Sequence, residues 1–330
     1  MKEKIRLGIV GYGNLGKGVE LAISQNSDME LAAIFTRRPV ESIKSYDERV
    51  KVVNIKEAEN YINDIDVMIL CGGSSTDIPV QGPHFARMYN TVDAYDNHGK
   101  IPEYMESMNK SLMESGKVSA ICLGWDPGLF SMNRVLLESM LPKGETYTFW
   151  GPGVSQGHSD AIRRVPGVKK GVQYTVPIEE AVNRVRNGEN PELTTSERHR
   201  RECYVVAEEY ADKDEITNTI KSMPGYFADY DTNVTFITEE ELMKNHSKIF
   251  HGGFVARSGR TGEDRTNNHI AEFSLKLGSN SEFTANVLVA YARAVYRLGK
   301  EGSKGAKTIF DIPLKYVSNK SIEDLCKNYL

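Results

Sequence analysis

The amino-acid sequence predicts an α/β fold in which a doubly wound parallel sheet is followed by a second domain of α+β type. Three observations support this prediction. Apolar strand-like runs alternate with helical segments over residues 1–124, which is the pattern of a parallel sheet with helices on its faces. The first of these runs leads directly into a glycine-rich turn. After residue 140 the pattern changes to a series of strand candidates with fewer helices between them.

The predicted parallel sheet has six strands, most of them separated by helical segments. Residues 67–71 are apolar throughout, which suits a strand that is covered on both faces. The six strand candidates are residues 5–10, 29–35, 50–53, 66–71, 91–94 and 118–123. We expect this first domain to span residues 1–124.

A second domain follows a predicted helix at about residues 127–140. Its strand candidates indicate a mixed sheet with helices on one face. These candidates are residues 146–150, 172–176, 203–207, 233–237, 250–256 and 270–277. Residues 282–298 then show the apolar spacing of an amphipathic helix. We expect this domain to span residues 125–299, and residues 300–330 to pack back on the first domain.

Composition indicates a soluble globular protein and argues against several classes. The 330 residues are 40% apolar, and the net charge of -4 with a pI of about 6.0 gives no broad basic field. We therefore expect neither nucleic acid nor a membrane surface as a partner. The first apolar run is too short for a signal peptide, and no segment approaches the length of a membrane span. Four cysteines without CxxC spacing indicate reduced thiols in a cytoplasmic protein.

The sequence gives no support for a metal site or a nucleophilic triad. Its seven histidines form neither an HxxxH pair nor a His/Cys cluster. No serine lies in a GxSxG elbow. We expect no metal.

The glycine-rich turn is Gly11-Tyr12-Gly13-Asn14-Leu15-Gly16, between an apolar strand and a helical segment. In a Rossmann-type fold the first glycine permits the tight turn and the second lets the backbone approach a pyrophosphate. The third allows the helix to pack closely on the strand. The pyrophosphate then lies at the helix N-terminus. The motif therefore predicts a dinucleotide site.

The end of the second strand predicts which dinucleotide binds. Thr36-Arg37-Arg38 stands where an acidic residue would accept hydrogen bonds from the adenosine ribose and repel a phosphate. Two guanidinium groups are suited to clamping a phosphate at this place. NADP is therefore favoured over NAD. Without the glycine motif, a solvated arginine pair before Pro39 would be the better interpretation.

Small and acidic residues follow three further strands at their carboxyl ends, where ligands of open α/β sheets bind. The small residues allow a nicotinamide to approach, and the carboxylates are suited to an ammonium group. The residues concerned are Gly72, Gly73, Ser74 and Ser75 after the fourth strand, Asp93 and Asp96 at the fifth, and Gly124, Trp125, Asp126, Pro127 and Gly128 after the sixth.

Each of these candidates has a plain structural alternative. Asp126 followed by Pro127 is also a good helix start, with Asp as N-cap and Pro at the first helical position. Residues 93–98 also fit a polar turn, and Ser74 fits a helix cap. A cap and a ligand are compatible roles for Asp126.

The second domain contributes four candidates. Residues 150–160 form a glycine-rich polar segment, typical both of binding loops and of irregular connections. One arginine of residues 198–201 is suited to a bidentate carboxylate contact, while the others fit a solvated basic patch. His251 lies beside glycines that permit close approach, but a single histidine is commonly structural. Asn280 also fits a helix cap, because Ser279 and Glu282 have capping-box spacing.

Taken together, these sequence motifs resemble those of the meso-diaminopimelate dehydrogenases over essentially the whole chain. The matching residues include the glycine turn, Thr36-Arg37-Arg38 and the run from Thr91 to His98. They continue with residues 124–128, 149–153, 155–160, 173–175 and 251–253, and with Asn280. The resemblance implies NADP-dependent oxidative deamination at the D-centre of meso-2,6-diaminopimelate. The product, L-2-amino-6-oxopimelate, cyclises to tetrahydrodipicolinate, and ammonia is released. In reverse, the reaction supplies diaminopimelate for lysine and cell-wall synthesis.

The resemblance also implies roles for particular residues and a cytoplasmic homodimer, with the second domain serving substrate binding and dimerisation. Asp93, Trp125 and Asp126 are expected at the reacting D-centre, with Asp126 and Asp93 as catalytic carboxylates. The rest of the substrate pocket is expected to comprise Trp150, Gln156, Gly157, Thr175, Arg201, His251 and Asn280. The expected cofactor-binding residues are Gly11, Tyr12, Gly13, Asn14, Leu15, Gly16, Thr36, Arg37, Arg38, Gly72, Gly73, Ser74, Ser75, Thr91, Val92, Asp93, Leu123, Gly124, Trp125, Asp126 and Pro127.

Two other functions are compatible with the first domain alone. One is an NADP-binding sensor without turnover, and the other is a neighbouring oxidoreductase such as a dihydrodipicolinate reductase or an aspartate dehydrogenase. The carboxylates and Arg201 argue against the sensor, and the segment 150–160 argues against the neighbouring enzymes. The sequence leaves open which group acts as the general base, how strictly other D-amino acids are refused, and the register of residues 257–268.

Overall fold

A computed structural model describes residues 4–248 and 250–330, apart from the side chain of Gln156. The chain folds into two compact units. Unit 1 comprises the residues up to Met132 together with Ser281–Leu330, and unit 2 comprises Asn133–Asn280. The domain bounds expected from the sequence, at residues 124 and 299, differ from these limits and stay a prediction.

Unit 1 is built on a parallel sheet of seven strands in the order β14-β6-β5-β4-β1-β2-β3. The strand order reverses beside β1, which pairs with both β2 and β4. Such a switch point is where doubly wound sheets bind ligands. The strands are β1 (Ile5–Val10), β2 (Met29–Thr36), β3 (Lys51–Asn54), β4 (Val67–Leu70), β5 (Asn90–Asp93), β6 (Val118–Ala120) and β14 (Gly305–Lys307). Six of these strands match the predicted runs, and β14 is an addition.

Alternate residues of the central strands enter two separate cores, one on each face of the sheet. Leu7 and Ile9 of β1 belong to one core and Val10 to the other, and all three are completely buried. The first core also contains α1 (Asn14–Ser24) and α10 (Asn280–Lys300), and the second contains α2 (Ile78–Ala86) and α3 (Ile101–Ser115). The apolar run in each central strand is explained by burial on both faces.

Unit 2 contains two sheets. One is mixed, in the order β11-β10-β9-β8, and the other is antiparallel, in the order β13-β12-β7. The strands are β7 (Gly144–Trp150), β8 (Gly153–Val154), β9 (Val168–Pro177), β10 (His199–Ala207), β11 (Asp231–Phe236), β12 (His251–Thr261) and β13 (Asn267–Leu277). The parallel sheet of unit 1 and the mixed sheet of unit 2 confirm the predicted fold class.

Helices cover the sheets of unit 2. Ile162 and Ile220 are buried against β10 in the core of the mixed sheet, and Val185 is buried against the antiparallel sheet. The remaining helices of the chain are α4 (Leu129–Met140), α5 (Gln156–Arg163), α6 (Glu179–Arg186), α7 (Thr195–Arg198), α8 (Lys213–Lys221), α9 (Glu239–Asn245), α11 (Leu314–Val317) and α12 (Ile322–Tyr329). Among residues 4–248 and 250–330, no helix has both the length and the apolar content to cross a membrane.

A partly buried ion pair links α10 to the rest of unit 1. Arg293 Nε donates to Asp28 Oδ2 at 2.6 Å and Nη2 donates to Asp28 Oδ1 at 2.9 Å. The Arg293 side chain is only 4% exposed, whereas that of Asp28 is 35% exposed. The hydrogen bonds from Arg293 hold the pKa of Asp28 below its ordinary value of 3.8.

Asp28→Asn is expected to lower the free energy of unfolding by about 2 kcal/mol at pH 7. The cost is below that of breaking a fully buried pair because Asp28 is partly exposed. A carboxylate with a lowered pKa stabilises the fold above its unfolded pKa, and this contribution is lost as the pH falls through the folded pKa. Urea titrations at pH 7 and in acid should therefore show the difference from the unsubstituted protein shrinking below pH 3.8. Equal stability at pH 7 would contradict the assignment.

Candidate active site

The glycine turn has the geometry that its motif predicts. Gly11 has φ +90°, a conformation that glycine adopts without strain. A Cβ on Gly16 would lie 2.2 Å from the carbonyl oxygen of Gly11, so α1 packs on the turn too closely for any side chain. A Cβ on Gly13 would meet no atom within 4 Å. The backbone of Gly13, directly before α1, is therefore open to a phosphate.

The other side chains of the turn serve the core. Tyr12 is buried and its hydroxyl donates to Glu20, a buried residue of α1. Glu20 Oε1 also accepts from the N–H groups of Tyr46 and Asp47 at 3.0 and 3.1 Å. Leu15 packs against the core, while Asn14 is exposed as the first residue of α1. The backbone of this turn, with the exposed Asn14 beside it, is therefore available to a dinucleotide.

Arg37 and Arg38 follow the end of β2, and Arg38 reaches back to the glycine turn. Its Nη2 donates to the carbonyl oxygen of Tyr12 at 2.5 Å, and its N–H donates to the buried Thr36 Oγ1 at 3.0 Å. Arg37 Nη2 donates to Asp77 Oδ2 at 2.8 Å, yet its side chain is 64% exposed. The two guanidinium groups therefore lie at the edge of the turn and are accessible to a phosphate.

The segment after β4 is tied to the segment after β5. Ser74 Oγ donates to Asp96 Oδ1 at 2.5 Å and accepts from the Asp96 N–H at 2.9 Å. Gly73 N–H donates to Asp77 Oδ2 at 3.0 Å, and Ser75 is exposed. A Cβ on Gly72 would lie 2.6 Å from Gln81 Oε1, so no larger residue fits there without a shift. The predicted cap role of Ser74 is replaced by its contact with Asp96.

The residues of β5 lie deeper in the sheet than the sequence prediction placed them. Thr91 Oγ1 shares a hydrogen bond of 2.6 Å with Ser119 Oγ, and Val92 is completely buried in a core. Asp93 is also completely buried, and burial raises the pKa of its carboxyl to about 6. Asp96, three residues further, is exposed. Of the two carboxylates, Asp96 is the accessible one.

The segment after β6 contains Trp125 and Asp126. Leu123 and Gly124 are buried, and the ring of Trp125 packs edge-on against Phe130 at 5.2 Å. Asp126 is half-buried, and its peptide bond to the buried Pro127 is cis. Helix α4 begins at Leu129, two residues after Pro127. The interpretation of Asp126 as N-cap and Pro127 as first helical residue is therefore wrong, because the chain makes a turn before the helix begins.

Arg201 is the most unusual side chain of unit 2. It is 5% exposed, its Nη1 donates to Thr175 Oγ1, and its guanidinium carbon lies 3.7 Å from the ring centroid of Tyr230. Its Nε is buried without a hydrogen-bond partner, and no ion pair of Arg201 occurs among the described residues. Burial lowers the pKa of the guanidinium. A desolvated cation without a counter-ion is costly in a folded protein.

The pairing of three neighbouring strands in the mixed sheet brings predicted site residues next to each other. Arg201 of β10 is opposite Thr175 of β9, which is opposite Gly153 of β8. A Cβ on Gly153 would lie 2.9 Å from Nδ1 of His251, so glycine admits this ring beside β8. Burial, together with Arg201, lowers the pKa of His251.

Gln173 lies on β9 two residues before Thr175 and is completely buried. Its Nε2 donates to Thr175 Oγ1 at 3.4 Å, and its Oε1 finds no hydrogen-bond partner among residues 4–248 and 250–330 as described. Gln173, with this unsatisfied acceptor, and Arg201, with its unsatisfied Nε donor, both donate a hydrogen bond to Thr175 Oγ1. Such groups need a polar ligand or water.

Trp150 ends β7 at a corner that also involves His199. Its N–H donates to His199 Nε2 at 2.9 Å, and the two rings stack at 5.4 Å. Burial and the positive charge of Arg201 lower the pKa of His199 to about 3, so this ring is neutral at physiological pH. Gly151 follows with φ +96°, and a Cβ there would lie 2.0 Å from the carbonyl oxygen of Thr175. The corner therefore requires glycine.

Residues 150–160 are more regular than an extended loop. They contain β8 and the start of α5, where Gly157 is exposed and a Cβ would meet nothing within 4 Å. The expected role of Gln156 concerns a side chain outside the described part of the chain. Asn280 is the first residue of α10, directly after Ser279.

A cavity of about 670 Å³ in unit 2 adjoins this region. Its lining includes Gly151, His251 and Phe254, but neither Thr175 nor Arg201. In the described part of the chain, no group of three or more His, Cys, Asp or Glu side chains is arranged to hold a metal ion.

Several residues that shape the site carry no sequence signal. Glu20, Tyr104 and Gln173 are polar residues in otherwise ordinary amphipathic segments, and only the fold brings them to their partners. His199 is part of the basic run and has no separate signal. A polar residue between two apolar neighbours in β9 is the one available hint for Gln173.

The sheet order, the glycine turn and the arginine pair define a dinucleotide-binding oxidoreductase of the Rossmann-type class. Residues 124–279 match the family model for the diaminopimelic acid dehydrogenase C-terminal domain. The meso-diaminopimelate D-dehydrogenase of Ureibacillus thermosphaericus is 61% identical over 327 residues, 99% of each chain. The chain belongs to the family of the meso-diaminopimelate D-dehydrogenases, which confirms the resemblance seen in the sequence motifs.

Solved structures agree with this assignment. A mutant meso-diaminopimelate dehydrogenase with DAP, from Clostridium tetani, has 57% sequence identity and a TM-score of 0.94, covering 99% of this chain and 100% of the other. An engineered D-amino acid dehydrogenase bound to NADP⁺ has 42% identity and a TM-score of 0.86, with coverage of 99% and 100%. The class of enzyme expected from the sequence is thereby confirmed.

Proposed function

We propose that this chain catalyses the reversible, NADP-dependent oxidative deamination of meso-2,6-diaminopimelate at its D-centre. The D-carbon loses a hydride and its amine leaves as ammonia, while water supplies the carbonyl oxygen of L-2-amino-6-oxopimelate. The product cyclises to L-tetrahydrodipicolinate. The reverse direction supplies diaminopimelate for lysine synthesis. The observation that carries the proposal is the buried guanidinium of Arg201, which pairs with no acidic side chain among the described residues, in a family named for a dicarboxylate substrate.

The distal, non-reacting end of the substrate would supply hydrogen-bond and charge partners for the buried polar groups of unit 2. A carboxylate would pair with Arg201, and the unsatisfied Oε1 of Gln173 would accept from an ammonium group. We propose that the rest of the substrate pocket, of which several residues grip the distal centre, comprises Trp150, Gln156, Gly157, Thr175, Arg201, His251 and Asn280, as the resemblance implies. A substrate without the distal groups leaves buried polar groups unpaired, which is a strong source of discrimination.

The reacting end requires an acceptor for the ammonium proton. Hydride leaves the α-carbon only when the nitrogen has a free lone pair, so a nearby carboxylate assists by taking the proton. We assign this proton transfer to Asp126, which is half-buried after β6, and the orientation of the amine to Asp96. Trp125 borders the same segment. Asp93, expected from the sequence as a direct ligand, has no exposed surface with which to contact the amine.

NADP supplies the hydride acceptor when bound, and the residues of unit 1 fit it. The open backbone of Gly13 accommodates the pyrophosphate, and Arg37 with Arg38 accommodates the 2′-phosphate. We propose that Gly72 to Ser75 and Leu123 to Pro127 border the nicotinamide. A relative solved with NADP⁺ supports this choice of cofactor.

Replacing both arginines tests the phosphate clamp. The double variant Arg37→Ala, Arg38→Ala is expected to raise the Kd for NADP about 100-fold, because charge-assisted hydrogen bonds are worth about 1.5–3 kcal/mol each. The Kd for NAD should change less than about twofold. Tryptophan fluorescence titration measures both constants. Arg49→Ala, an exposed arginine of the same unit paired with Asp47, is the matched control. Equal losses with both dinucleotides would show that the clamp is elsewhere.

We also propose a cytoplasmic homodimer. Cys71, Cys122 and Cys203 are buried free thiols and Cys326 is an exposed one, which suits a reducing compartment. Light scattering of the purified protein measures the assembly, and a monomer at micromolar concentration would contradict the dimer.

The proposed reaction is tested by NADPH formation with meso-diaminopimelate, compared with its LL and DD isomers. Turnover is expected with the meso compound and is expected to be far slower with LL. NADP binding without any turnover would favour the sensor alternative. NADPH consumption with dihydrodipicolinate, or NADPH formation with L-aspartate, in place of activity on meso-diaminopimelate would favour a neighbouring oxidoreductase.

A further inference from the structure

We propose that Asp93 is a positioning residue whose buried carboxylate joins the starts of the two segments carrying Asp96 and Asp126. It would thereby fix how the reacting amine is held without contacting it. This inference deepens the proposed function and rests on it for the identity of the substrate. The contacts that carry it lie entirely within unit 1.

The carboxylate of Asp93 accepts hydrogen bonds from both segments. Its Oδ1 accepts from the N–H of Tyr95 at 3.0 Å and from the N–H of Cys122 at 3.2 Å. The carbonyl oxygen of Asp93 accepts from the N–H of Leu123 at 2.9 Å. Tyr95 directly precedes Asp96, and Leu123 lies three residues before Asp126. One side chain therefore connects the ends of β5 and β6 at the point where the ligand-bearing segments begin.

Cys122 shows why such a connection is needed. Its φ of 58° lies in the left-handed region, which a non-glycine residue adopts at a cost. A conformation of this kind persists only where its surroundings impose it. The hydrogen bond from Cys122 N–H to Asp93 is one such constraint, and it sets the direction in which the chain leaves β6 toward Trp125.

The second oxygen of Asp93 is held by Tyr104 of α3. The Tyr104 hydroxyl donates to Asp93 Oδ2 at 2.7 Å, and its ring lies against that of Tyr95 with centroids 4.4 Å apart. A Cβ on Gly82 would lie 2.3 Å from this hydroxyl oxygen, so glycine in α2 leaves the space that it occupies. Two helices are thus adapted to keep the carboxylate in place.

Direct contact between Asp93 and the substrate is the competing explanation. It conflicts with the complete burial of the residue and with the use of both carboxylate oxygens by partners from the chain itself. Asp96 and Asp126 have exposed or half-exposed side chains in comparison. The geometry therefore assigns Asp93 the role of holding the backbone of the two segments that follow β5 and β6.

The two explanations differ in what removal of the Tyr104 hydroxyl does. If Asp93 positions the segments, Tyr104→Phe should lower kcat/KM for meso-diaminopimelate about 10-fold, and Asp93→Asn should lower it by a similar factor. The double variant should then lose no more than either single variant, because the residues act as one unit. The Kd for NADP should change less than about twofold in all three.

If Asp93 contacts the amine, Asp93→Asn should cost 100-fold or more, as expected for a group acting in proton transfer, whereas Tyr104→Phe should be nearly silent. That pattern would overturn the proposal, and so would a Tyr104→Phe variant with unchanged kcat/KM. Tyr89→Phe is the matched control for stability. Tyr89 is a buried tyrosine of the same unit whose hydroxyl donates to the Ala58 carbonyl oxygen at 2.5 Å, away from both segments. It should keep kcat/KM even where its Tm falls as far as that of Tyr104→Phe.

Hydrogen exchange separates failure of this inference from failure of the proposed function. In Asp93→Ala the amides of Tyr95 and Cys122 lose their acceptor and should exchange at least 10-fold faster, whatever the substrate. Unchanged protection of both amides would refute the positioning role by itself. If the unsubstituted protein does not oxidise meso-diaminopimelate, the function fails while this measurement still decides the inference. If Asp93→Ala does not fold, protection of the same amides in Tyr104→Phe, expected to fall about threefold, takes its place.

Discussion

Arg201→Met is expected to lower kcat/KM for meso-diaminopimelate about 1000-fold, mainly through a higher KM. Loss of one partner of a buried, charged contact costs about 2–5 kcal/mol, and most of this reflects the group left unpaired. The substrate carboxylate would meet methionine in place of the buried guanidinium beside Thr175. NADP affinity should be unchanged, because the residues that we assign to the dinucleotide lie in unit 1.

The same substitution should not weaken the apoprotein. Arg201 is desolvated and forms no ion pair within the described part of the chain, and replacing such a charge by an apolar side chain of similar length is often neutral or stabilising. We therefore expect a Tm equal to or above that of the unsubstituted protein, together with the loss of substrate affinity. Arg200→Met is the control, because Arg200 is exposed and pairs with Glu202 at 2.9 Å. An unaltered KM in Arg201→Met, or a large fall in its Tm, would indicate that Arg201 has a structural role and does not bind the substrate.

Asp126→Asn is expected to lower kcat about 100- to 1000-fold, with little change in NADP binding. Proton transfer by a positioned side chain contributes about this factor, and an amide cannot take the proton from the substrate ammonium.

Asp96→Asn provides the comparison for Asp126→Asn. A residue that orients the amine without taking its proton should mainly raise KM when substituted, whereas Asp126→Asn should mainly lower kcat. Steady-state kinetics with meso-diaminopimelate distinguishes the two. Retention of kcat within threefold in Asp126→Asn would assign the proton transfer to another group.

The sequence was sufficient to predict the elements whose buried residues follow a regular pattern. The six apolar runs of unit 1 became strands because continuous apolar segments are stable only between two cores. Strand β14 was missed because Gly305-Ala306-Lys307 has no apolar run, and its pairing with β6 is decided by tertiary contacts. Strand β8 was missed because it has only two residues, which are too few to show an alternating pattern.

The site was predictable in its backbone and less so in its side chains. A glycine turn followed by arginines fixes its own geometry locally, and both features lie where expected. Asp93 and Asp96 look alike in sequence, yet one ends a strand inside the sheet and the other lies beyond it. Only the length of β5 distinguishes them. That Arg201 meets no acidic side chain in the described part of the chain is likewise a property of the folded protein, because the sequence contains many acidic residues that could have paired with it.

The path of the chain through the two units determines when each becomes complete during synthesis. Unit 2 is one continuous segment, whereas unit 1 needs residues from both ends, including α10 and the strand β14 beside β6. A nascent chain therefore contains all of unit 2 while unit 1 still lacks an edge strand and the helix that closes one of its cores. Since domains fold as their residues emerge, the dinucleotide-binding unit is finished after unit 2, although its glycine turn is made before any residue of unit 2.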